Sequence, residues 1–427
     1  FPSQFSAGVV AAASTGGALM PPVMGAGAFV LASYTQIPYL TIISASALPA
    51  TLYFLTVSYF VRIEAKRLRL STVQAEHAER IRDVLKEGWH FTIPMGVLIF
   101  FLVSGRTPTT AAAFAIISVI ASSWISKTPM HLSDIFEAVV DGVRSMVSTA
   151  LLLVAVGIII NVVTTTGIGN AFSLMIVEWA QGSLLVTLVL VALASLVLGM
   201  GLPVTASYIV LATLSAPLIF DLISQAQLVS ALELGNLPSN VAATINLFGG
   251  DPLVAIREMP LEMKQLIRQE MLPPELLTGM LLSSHLVIFW LSQDSNVTPP
   301  VCLASFAAAG IAKTPPMATG LTSWKVAKGL YLVPVLFAYS PLISGSWPER
   351  IEVFFWSCLA LYALAGLLQW HLETKLNVFT AGLLAVSAIL MIWSPFAIIY
   401  HVVGAALLSI VVIWQTIENK KFAKTIA

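Results

Sequence analysis

Charged residues and cysteines are both scarce in this sequence of 427 residues. Lysine and arginine together number 21, as do aspartate and glutamate, so charged side chains make up 10% of the chain and the formal net charge is zero. This balance excludes the basic footprint of a nucleic-acid-binding protein. The two cysteines, Cys302 and Cys358, cannot build a disulfide framework, and both lie in apolar stretches typical of ordinary packed residues.

The usual enzyme signatures are also absent from the sequence. The six histidines are scattered without metal-ligand spacing, and no H-E-x-x-H, G-x-S-x-G or G-x-x-x-x-G-K-[ST] motif occurs. We therefore expect a protein that is not an enzyme and that uses no cofactor. The chain begins Phe1-Pro2-Ser3-Gln4, without the charged n-region or cleavage site of a leader. We expect its natural start to lie upstream.

Hydrophobic residues, by contrast, make up 58% of the chain, and the mean hydropathy is +0.90. Both values are far from the balance of a soluble protein. The sequence therefore predicts an all-α polytopic membrane protein. The predicted uninterrupted spans are about Tyr39–Val61, His90–Ser104, Thr109–Ser126, Ser145–Thr166, Lys325–Ser344, Glu349–Trp370, Asn377–Trp393 and Phe396–Gln415.

A polar interruption divides the apolar segment from about Leu277 to Ala312. It runs from Gln293 to Cys302 and reads Q-D-S-N-V-T-P-P-V-C. Pro299 and Pro300 lack backbone N–H groups and clash with the preceding turn, so the helix must unwind there. Polar side chains beside free carbonyls at membrane depth are typical of a binding site. The alternatives are a simple proline kink and, for Asp294, an external charge or a structural partner of another polar group. The candidate binding residues are Asp294, Ser295, Asn296, Thr298, Pro299 and Pro300.

A similar interruption, S-T-G-G-A-L-M-P-P-V from Ser14 to Val23, divides the apolar stretch from Phe5 to Ser33. Both interruptions carry Pro-Pro-Val, and each leads into a run of small residues. Paired breaks in two halves of a chain indicate a transporter with inverted repeats and discontinuous helices. The alternative roles are close helix packing for Gly-Gly and interhelical hydrogen bonds for serine. The candidate binding residues here are Ser14, Thr15, Gly16, Gly17, Pro21 and Pro22.

A third interruption, G-M-G-L-P-V-T from Gly199 to Thr205, divides the apolar stretch from Leu184 to Phe220. Each arm has only about 16 residues, which is short for a complete membrane crossing. We predict a re-entrant hairpin with its glycine-rich tip at mid-membrane, rather than an ordinary external turn. The candidate binding residues at this tip are Gly199, Met200, Gly201, Pro203 and Thr205.

The distribution of basic residues predicts the direction of each break. The segment from Arg62 to Gly88 carries seven basic residues, and the tail from Lys420 is also basic, as cytoplasmic segments tend to be. Counting spans from these two segments makes the two broken helices run in opposite directions. The hairpin then enters from outside. The hydrophilic segment from Asp221 to Glu275, with a predicted helix at Leu261–Met271, also lies outside.

Three motifs resemble one known family. T-G-G-A-L-M-P-P-V-M-G (Thr15–Gly25), G-M-G-L-P-V-T-A-S-Y (Gly199–Tyr208) and D-S-N-V-T-P-P-V-C-L-A-S-F-A-A-A-G-I-A (Asp294–Ala312) closely resemble the fused large permease of TRAP transporters, TAXI subtype. The resemblance covers Phe5 to about Ser344. It implies an elevator-type, sodium-coupled importer of organic acids, a multi-pass protein of the bacterial cytoplasmic (inner) membrane.

The resemblance also implies partners and a site. The expected partners are a periplasmic TAXI-type substrate-binding protein, a small membrane subunit or fused upstream region, and the lipid bilayer. The hairpin tips and unwound helices of the family enclose substrate and sodium, so Na⁺ is the expected coupling ion, with Gly16, Gly201, Asn296 and Thr298 as its expected ligands. The family's first hairpin, and the four-helix region of fused members, precede the first broken helix. Neither is in this sequence, so part of the site is expected upstream.

Two other functions fit the same breaks: a binding-protein-independent, ion-coupled carboxylate carrier, and a non-transporting membrane scaffold subunit.

The predicted division of the chain is 1–61 for the remainder of the first repeat with its broken helix, 62–88 for a cytoplasmic basic linker, 89–220 for scaffold or arm helices and the re-entrant hairpin, 221–277 for an external hydrophilic insertion, 278–346 for the second broken helix and the following span, and 347–427 for C-terminal membrane helices.

Overall fold

A computed structural model describes residues 1–70, 88–126, 129–200, 202–233, 237–393 and 398–426, and it confirms an all-α polytopic membrane protein. The β structure in this part of the chain is an isolated bridge between His371 and Lys375. Among the described residues, the helices long and apolar enough to cross a membrane are Tyr39–Arg67, Val204–Glu233, Pro274–Asn296, Trp347–Gln369 and Ile398–Asn419.

The first broken helix consists of α1 (Ser3–Gly17) and α2 (Ala26–Thr35), and α3 (Tyr39–Arg67) follows it. The helix therefore unwinds where the sequence predicted, but the unwound part begins after Gly17 rather than at Ser14. The reason is the reach of the proline ring, which clashes with the carbonyl four residues earlier. Pro21 thus ends the helix at Gly17, and the candidates from Ser14 to Gly17 form its last turn.

The next helices are α4 (Thr92–Val103), α5 (Pro108–Ser123), α6 (Leu132–Thr166), α7 (Ile168–Ala180), α8 (Leu184–Gly199) and α9 (Val204–Glu233). Helices α4 and α5 form where the short spans at His90–Ser104 and Thr109–Ser126 were predicted, but both are shorter than the helices that could cross a membrane. The span predicted at Ser145–Thr166 begins too late, because α6 starts at Leu132. Its charged side chains lie on the exposed surface, where Asp141 and Arg144 pair along the helix and do not interrupt it.

The hairpin has arms of unequal length. The first arm, α8, has 16 residues as predicted, but the second arm, α9, has 30 residues and does not end near Phe220. Asp221 lies inside α9 because it is paired with Arg268 and Lys264, which are distant in sequence. A paired carboxylate does not end a helix, so the hydrophilic segment begins after Glu233 rather than at Asp221.

That hydrophilic segment folds into α10 (Ser239–Leu247), α11 (Pro252–Glu258) and α12 (Leu261–Met271), and the last of these was predicted. The segment packs on the C-terminal end of α9 around a small apolar core of its own, separate from the main core. The buried residues of this core are Leu228, Leu232, Val241, Ile245, Ala255, Ile256, Met259, Ile267 and Leu272.

We expect Asp221→Asn to lower the free energy of unfolding by about 3–5 kcal/mol, because it leaves a buried guanidinium without its counter-charge. Arg268 is only 1% exposed, and Asp221 accepts a hydrogen bond from it. Unfolding in detergent by heat or denaturant measures the change. Asp141→Asn makes the same substitution in an exposed pair and should change the unfolding free energy by less than about 0.5 kcal/mol. Equal losses in the two variants would contradict this account.

The second broken helix consists of α13 (Pro274–Leu291), a 3₁₀ turn at Asp294–Asn296 and α14 (Leu303–Ala312). Two short helices follow, α15 (Pro316–Val326) and α16 (Gly329–Tyr339), so the single span predicted at Lys325–Ser344 is wrong. The helix starts earlier, at the Pro315-Pro316 pair, and it breaks again before Gly329. At that point the backbone packs against α3, and a Cβ on Gly329 would lie 2.9 Å from a ring carbon of Tyr53.

The two broken helices lie side by side with opposite directions. The first half of one, α1, packs on α14 and α15, which come after the second break. The second half, α2, packs instead on α13, which comes before the second break, and on α9. Close glycine contacts mark both ends, with Gly8 against Thr322 and Gly27 against the ring of Phe289. The Pro21–Pro22 and Pro299–Pro300 peptide bonds are both cis.

A constant spacing relates the two halves. Pro22 and Pro300 are 278 residues apart in the sequence, and so are Tyr53 and Tyr331. Tyr53 lies on α3 and Tyr331 on α16, and each reaches back to the broken helix of its own half. Tyr53 donates a hydrogen bond to the carbonyl of Ala12 at 2.7 Å, and the Tyr331 hydroxyl pairs with the Thr298 hydroxyl. Both halves therefore place a tyrosine against their own broken helix, although the bonded positions differ: Ala12 lies ten residues before Pro22, whereas Thr298 lies two residues before Pro300.

The C-terminal helices are α17 (Trp347–Gln369), α18 (Val378–Ile392) and α19 (Ile398–Ile426). They match the last three predicted spans, although α19 continues well past Gln415. They pack on one another, and α17 packs along α3. The Gln369 amide donates to the carbonyl of Phe60 at 2.6 Å, which joins these helices to α3 through a buried hydrogen bond.

Candidate functional site

The tip of the hairpin meets the second break. Gly199 ends α8, and a Cβ built on it would lie only 2.7 Å from the Cβ of Ser295 and 3.7 Å from Oδ1 of Asp294. Only glycine permits this approach without displacement of the neighbouring backbone. The sequence predicted both segments as binding elements, and the structure places them in direct contact.

Asp294 is the most unusual residue of this contact. Its side chain is 1% exposed, and neither carboxylate oxygen has a hydrogen-bond partner among the described residues. Its backbone carbonyl accepts from the amides of Val297 and Thr298 at 3.0 and 2.8 Å, which fixes the tight turn. A buried carboxylate without a partner costs several kcal/mol. The arrangement therefore favours a bound cation or a proton as the missing partner.

Asp294 and Thr298 both face a cavity of about 300 Å³. Its wall is largely aliphatic and comes mainly from α8 and α16, while Trp324 and Tyr331 add polar groups. Tyr331 holds Thr298 through the hydroxyl pair. The Lys328 ammonium lies 3.1 Å from the ring centre of Trp324, so a cation is held close to this wall.

The other predicted residues of the second break surround this pair. Ser295 is buried, and Asn296 is half-buried with its amide donating to the Gln293 side chain at 3.4 Å. Pro299 is half-buried and Pro300 is exposed. The break thus combines a buried carboxylate with hydroxyl and amide oxygens, and Pro300 is its exposed residue.

Some predicted residues of the first break are buried against neighbouring side chains, and others are exposed. A Cβ on Gly16 would lie 2.4 Å from Tyr53, so this glycine is needed for close packing of the ring. The hydroxyl of Thr15, which is buried, donates back to the carbonyl of Ala11 at 2.9 Å. Ser14 and Gly17 are exposed, and a Cβ on Gly17 would meet open space. Pro21 and Pro22 are both half-buried, and the Pro22 carbonyl accepts from Tyr39.

Of the remaining hairpin candidates, Met200 and Pro203 are exposed and Thr205 is half-buried. Gly201 lies outside the described residues. The structure therefore gathers Gly199, Asp294, Ser295 and Thr298 around one contact, and it leaves the other tip residues at the edge of that contact.

Known families supply an independent comparison. A family model described as "Tripartite ATP-independent periplasmic transporter, DctM component" matches residues 1–343. The chain belongs to the DctM family. It is therefore a membrane permease component of a TRAP transporter, and the predicted resemblance to the TRAP large permease is confirmed at this level. DctM proteins act with a periplasmic binding protein and a small membrane component.

No curated protein and no solved structure matches the chain. The DctM match ends four residues before α17 begins. The three C-terminal helices of this DctM-family chain therefore lie outside the region that the family model describes.

Sequence reasoning missed the aromatic residues that join the breaks to their surroundings. Tyr53 packs on Gly16 of the first break, and its ring meets that of Trp290, near the second break, edge to face at 6.2 Å between centres. Tyr331 holds Thr298 in the second break. The sequence held a signal for both tyrosines, because they share the spacing of the two Pro-Pro-Val motifs.

Proposed function

We propose that this DctM-family permease is of the TAXI subtype and imports organic acids by sodium coupling, with substrate delivered by a periplasmic binding protein. The observation that carries the proposal is the buried Asp294 carboxylate without a partner. It faces a cavity beside a glycine tip that can approach only because it lacks a side chain.

Sodium suits this site because it is a hard cation that prefers oxygen ligands. Asp294 supplies the charge and Thr298 a hydroxyl, and the unwound backbone supplies carbonyls that have no helical partner. The predicted ligands Gly16, Gly201, Asn296 and Thr298 belong to the same hypothesis. In this hypothesis a bound sodium neutralises Asp294, and the tip at Gly199 then closes on Ser295 at lower cost.

The anionic substrate needs a source of positive potential close to the site. The N-terminus of α14 follows the second break directly, and a half-helix N-terminus attracts a carboxylate. Closing of the tip over sodium and substrate would then let the inner helices move across a fixed scaffold, as an elevator. Substrate transport is coupled to sodium because closure of the tip is favourable only when the charge of Asp294 is compensated.

Uptake by proteoliposomes that contain the complete transporter tests this function. The substrate is the radiolabelled organic acid that the cognate binding protein carries. We expect uptake only when an inward sodium gradient and the binding protein are both present. Equal uptake without the binding protein would instead support an independent carboxylate carrier. Absence of uptake, together with no stabilisation of the protein by sodium, would support a scaffold subunit.

A further inference from the structure

Lys328 lies in the middle of an interrupted membrane span. It is between α15 and α16, twelve residues after Pro316 and eleven before Tyr339, which are the outer ends of that pair of helices. At 1.5 Å per residue the pair covers about 36 Å, close to the thickness of a membrane core. The next residue, Gly329, packs on Tyr53, which is the middle residue of α3. Both observations place Lys328 near the depth of the membrane centre.

The chain on either side of Lys328 contacts the second break. Five residues before it, the Ser323 hydroxyl donates to the carbonyl of Val297 at 3.0 Å. Three residues after it, the Tyr331 hydroxyl pairs with that of Thr298. The side chain of Lys328 therefore leaves the backbone between two contacts to the unwound segment.

The ammonium of Lys328 lies beside the cavity that Asp294 and Thr298 face. It is 3.1 Å from the ring centre of Trp324 and 5.6 Å from that of Tyr331. Both rings line the cavity of about 300 Å³. The cation is thus held against the aromatic part of the cavity wall. Because the lysine stem is flexible, the ammonium can reach a ligand at the edge of these rings.

No carboxylate in the described part of the chain is paired with this cation. Lys328 forms neither an ion pair nor a hydrogen bond with the described residues, although its side chain is half-buried. The usual explanation for a membrane lysine is that its stem extends to the nearest surface. Here the ammonium contacts one ring before and one ring after its own position, so it stays beside the cavity wall. A cation at this depth is costly and is typical of a substrate pathway.

We propose that Lys328 binds the carboxylate of the transported acid, and that this acid is a monocarboxylate with an apolar body. The inference rests on the proposed function, because it needs an anionic substrate at the second break. The N-terminus of α14 offers only a partial positive charge, whereas a lysine ammonium supplies a full charge and three donors. Hydrogen bonds between ionised groups are about twice as strong as those between neutral groups.

The charges around the cavity favour a single carboxylate. In the proposed function a bound sodium compensates Asp294, which leaves the charge of Lys328 for the substrate. One substrate carboxylate neutralises it, whereas a second would be buried without a counter-charge. The rest of the lining is largely aliphatic and comes mainly from α8 and α16. Such a wall favours an apolar body, because it gives further polar groups few partners.

Thermal unfolding of the purified membrane component in detergent tests the inference, with hexanoate as the probe. Hexanamide has the same apolar body without a charge, and adipate has a second carboxylate on a body of equal length. We expect hexanoate to raise the Tm of the wild type when sodium is present at saturation. Hexanamide and adipate should leave that Tm nearly unchanged.

Three variants separate the charge of Lys328 from its packing, with Tm measured over a series of hexanoate concentrations. Lys328→Gln should weaken hexanoate binding about 10- to 150-fold, as expected for the loss of a hydrogen bond to a charged group, while sodium still raises its Tm. Lys328→Arg keeps a cation beside the rings and should retain most of the binding. Lys325→Gln is the matched control and should bind hexanoate as the wild type does. Lys325 is also half-buried, but it has no such ring contact among the described residues.

The outcomes distinguish this inference from the proposed function. If sodium raises the Tm of the wild type but hexanoate does not, the inference is overturned and the sodium site stands. The same holds if Lys328→Gln responds to hexanoate as the wild type does, or if Lys325→Gln shows an equal loss. Equal stabilisation by adipate overturns the monocarboxylate. Absence of a sodium response in the wild type contradicts the proposed function itself, and with it the inference.

Discussion

Asp294→Asn is expected to lower sodium-dependent uptake strongly while raising the stability of the protein in the absence of sodium. The variant keeps the shape of the side chain and removes a charge that is buried without a partner. A contact to an ionised group is worth about 1.5–3 kcal/mol, so sodium affinity should fall about 10- to 150-fold. Removal of an unpaired buried charge should also stabilise the sodium-free state.

Two measurements on one preparation check this expectation. Thermal unfolding should show a sodium-dependent rise in Tm for the wild type. The variant should have a higher Tm without sodium, and its Tm should rise only at sodium concentrations about 10- to 150-fold higher. Uptake by proteoliposomes should fall strongly at a sodium concentration that half-saturates the wild type. Asp141→Asn is the matched control, because it makes the same chemical change on the exposed surface of α6. A variant that loses stability and still transports would show that Asp294 has a structural role only.

The breaks could be predicted from sequence because their cause is local. Two adjacent prolines remove backbone donors and clash with the preceding turn in any context. The same reasoning also explains the small error at the first break, since the clash reaches back four residues from Pro21 to Gly17. A rule that acts over one helical turn therefore explains where α1 ends, whereas α13 ends at Leu291, eight residues before Pro299 and beyond that reach.

The length of α9 could not be predicted, because its cause is tertiary. In the sequence, Asp221 interrupts an apolar stretch, and this pattern indicates the end of a membrane segment. In the fold it is paired with Arg268, which lies 47 residues later on α12. The helix continues because that pairing satisfies the charge. A sequence pattern does not reveal such a partner.

The candidate site likewise combines residues that could be predicted from local sequence with contacts that depend on the tertiary fold. The sequence predicted Gly199 and Asp294 separately, each from its own motif, but the 2.7 Å approach between Gly199 and Ser295 depends on the path of α8. Tyr331 was missed because a tyrosine in an apolar stretch is usually a packing residue. Its equivalence to Tyr53 was present in the sequence, as the same spacing that relates the two Pro-Pro-Val motifs.

Gly199→Ala tests whether the approach of the tip to the second break matters for transport. The added Cβ would lie 2.7 Å from the Cβ of Ser295, which is part of a tight turn rather than the end of a flexible side chain. Overpacking of this kind costs about 1–3 kcal/mol. If closure of the tip is required, uptake should fall about 5- to 150-fold.

A compensating change makes the test specific. Ser295→Gly removes the atom that Gly199→Ala meets, so the double variant should recover a large part of the lost uptake. Gly310→Ala is the matched control, because a Cβ there meets open space on α14 and should at most stabilise the helix by about 1 kcal/mol. Loss in Gly199→Ala with recovery in the double variant would assign the effect to this contact. Normal uptake in Gly199→Ala would contradict a role of the tip in transport. It would show that the two segments do not need to approach as closely as they do in this structure.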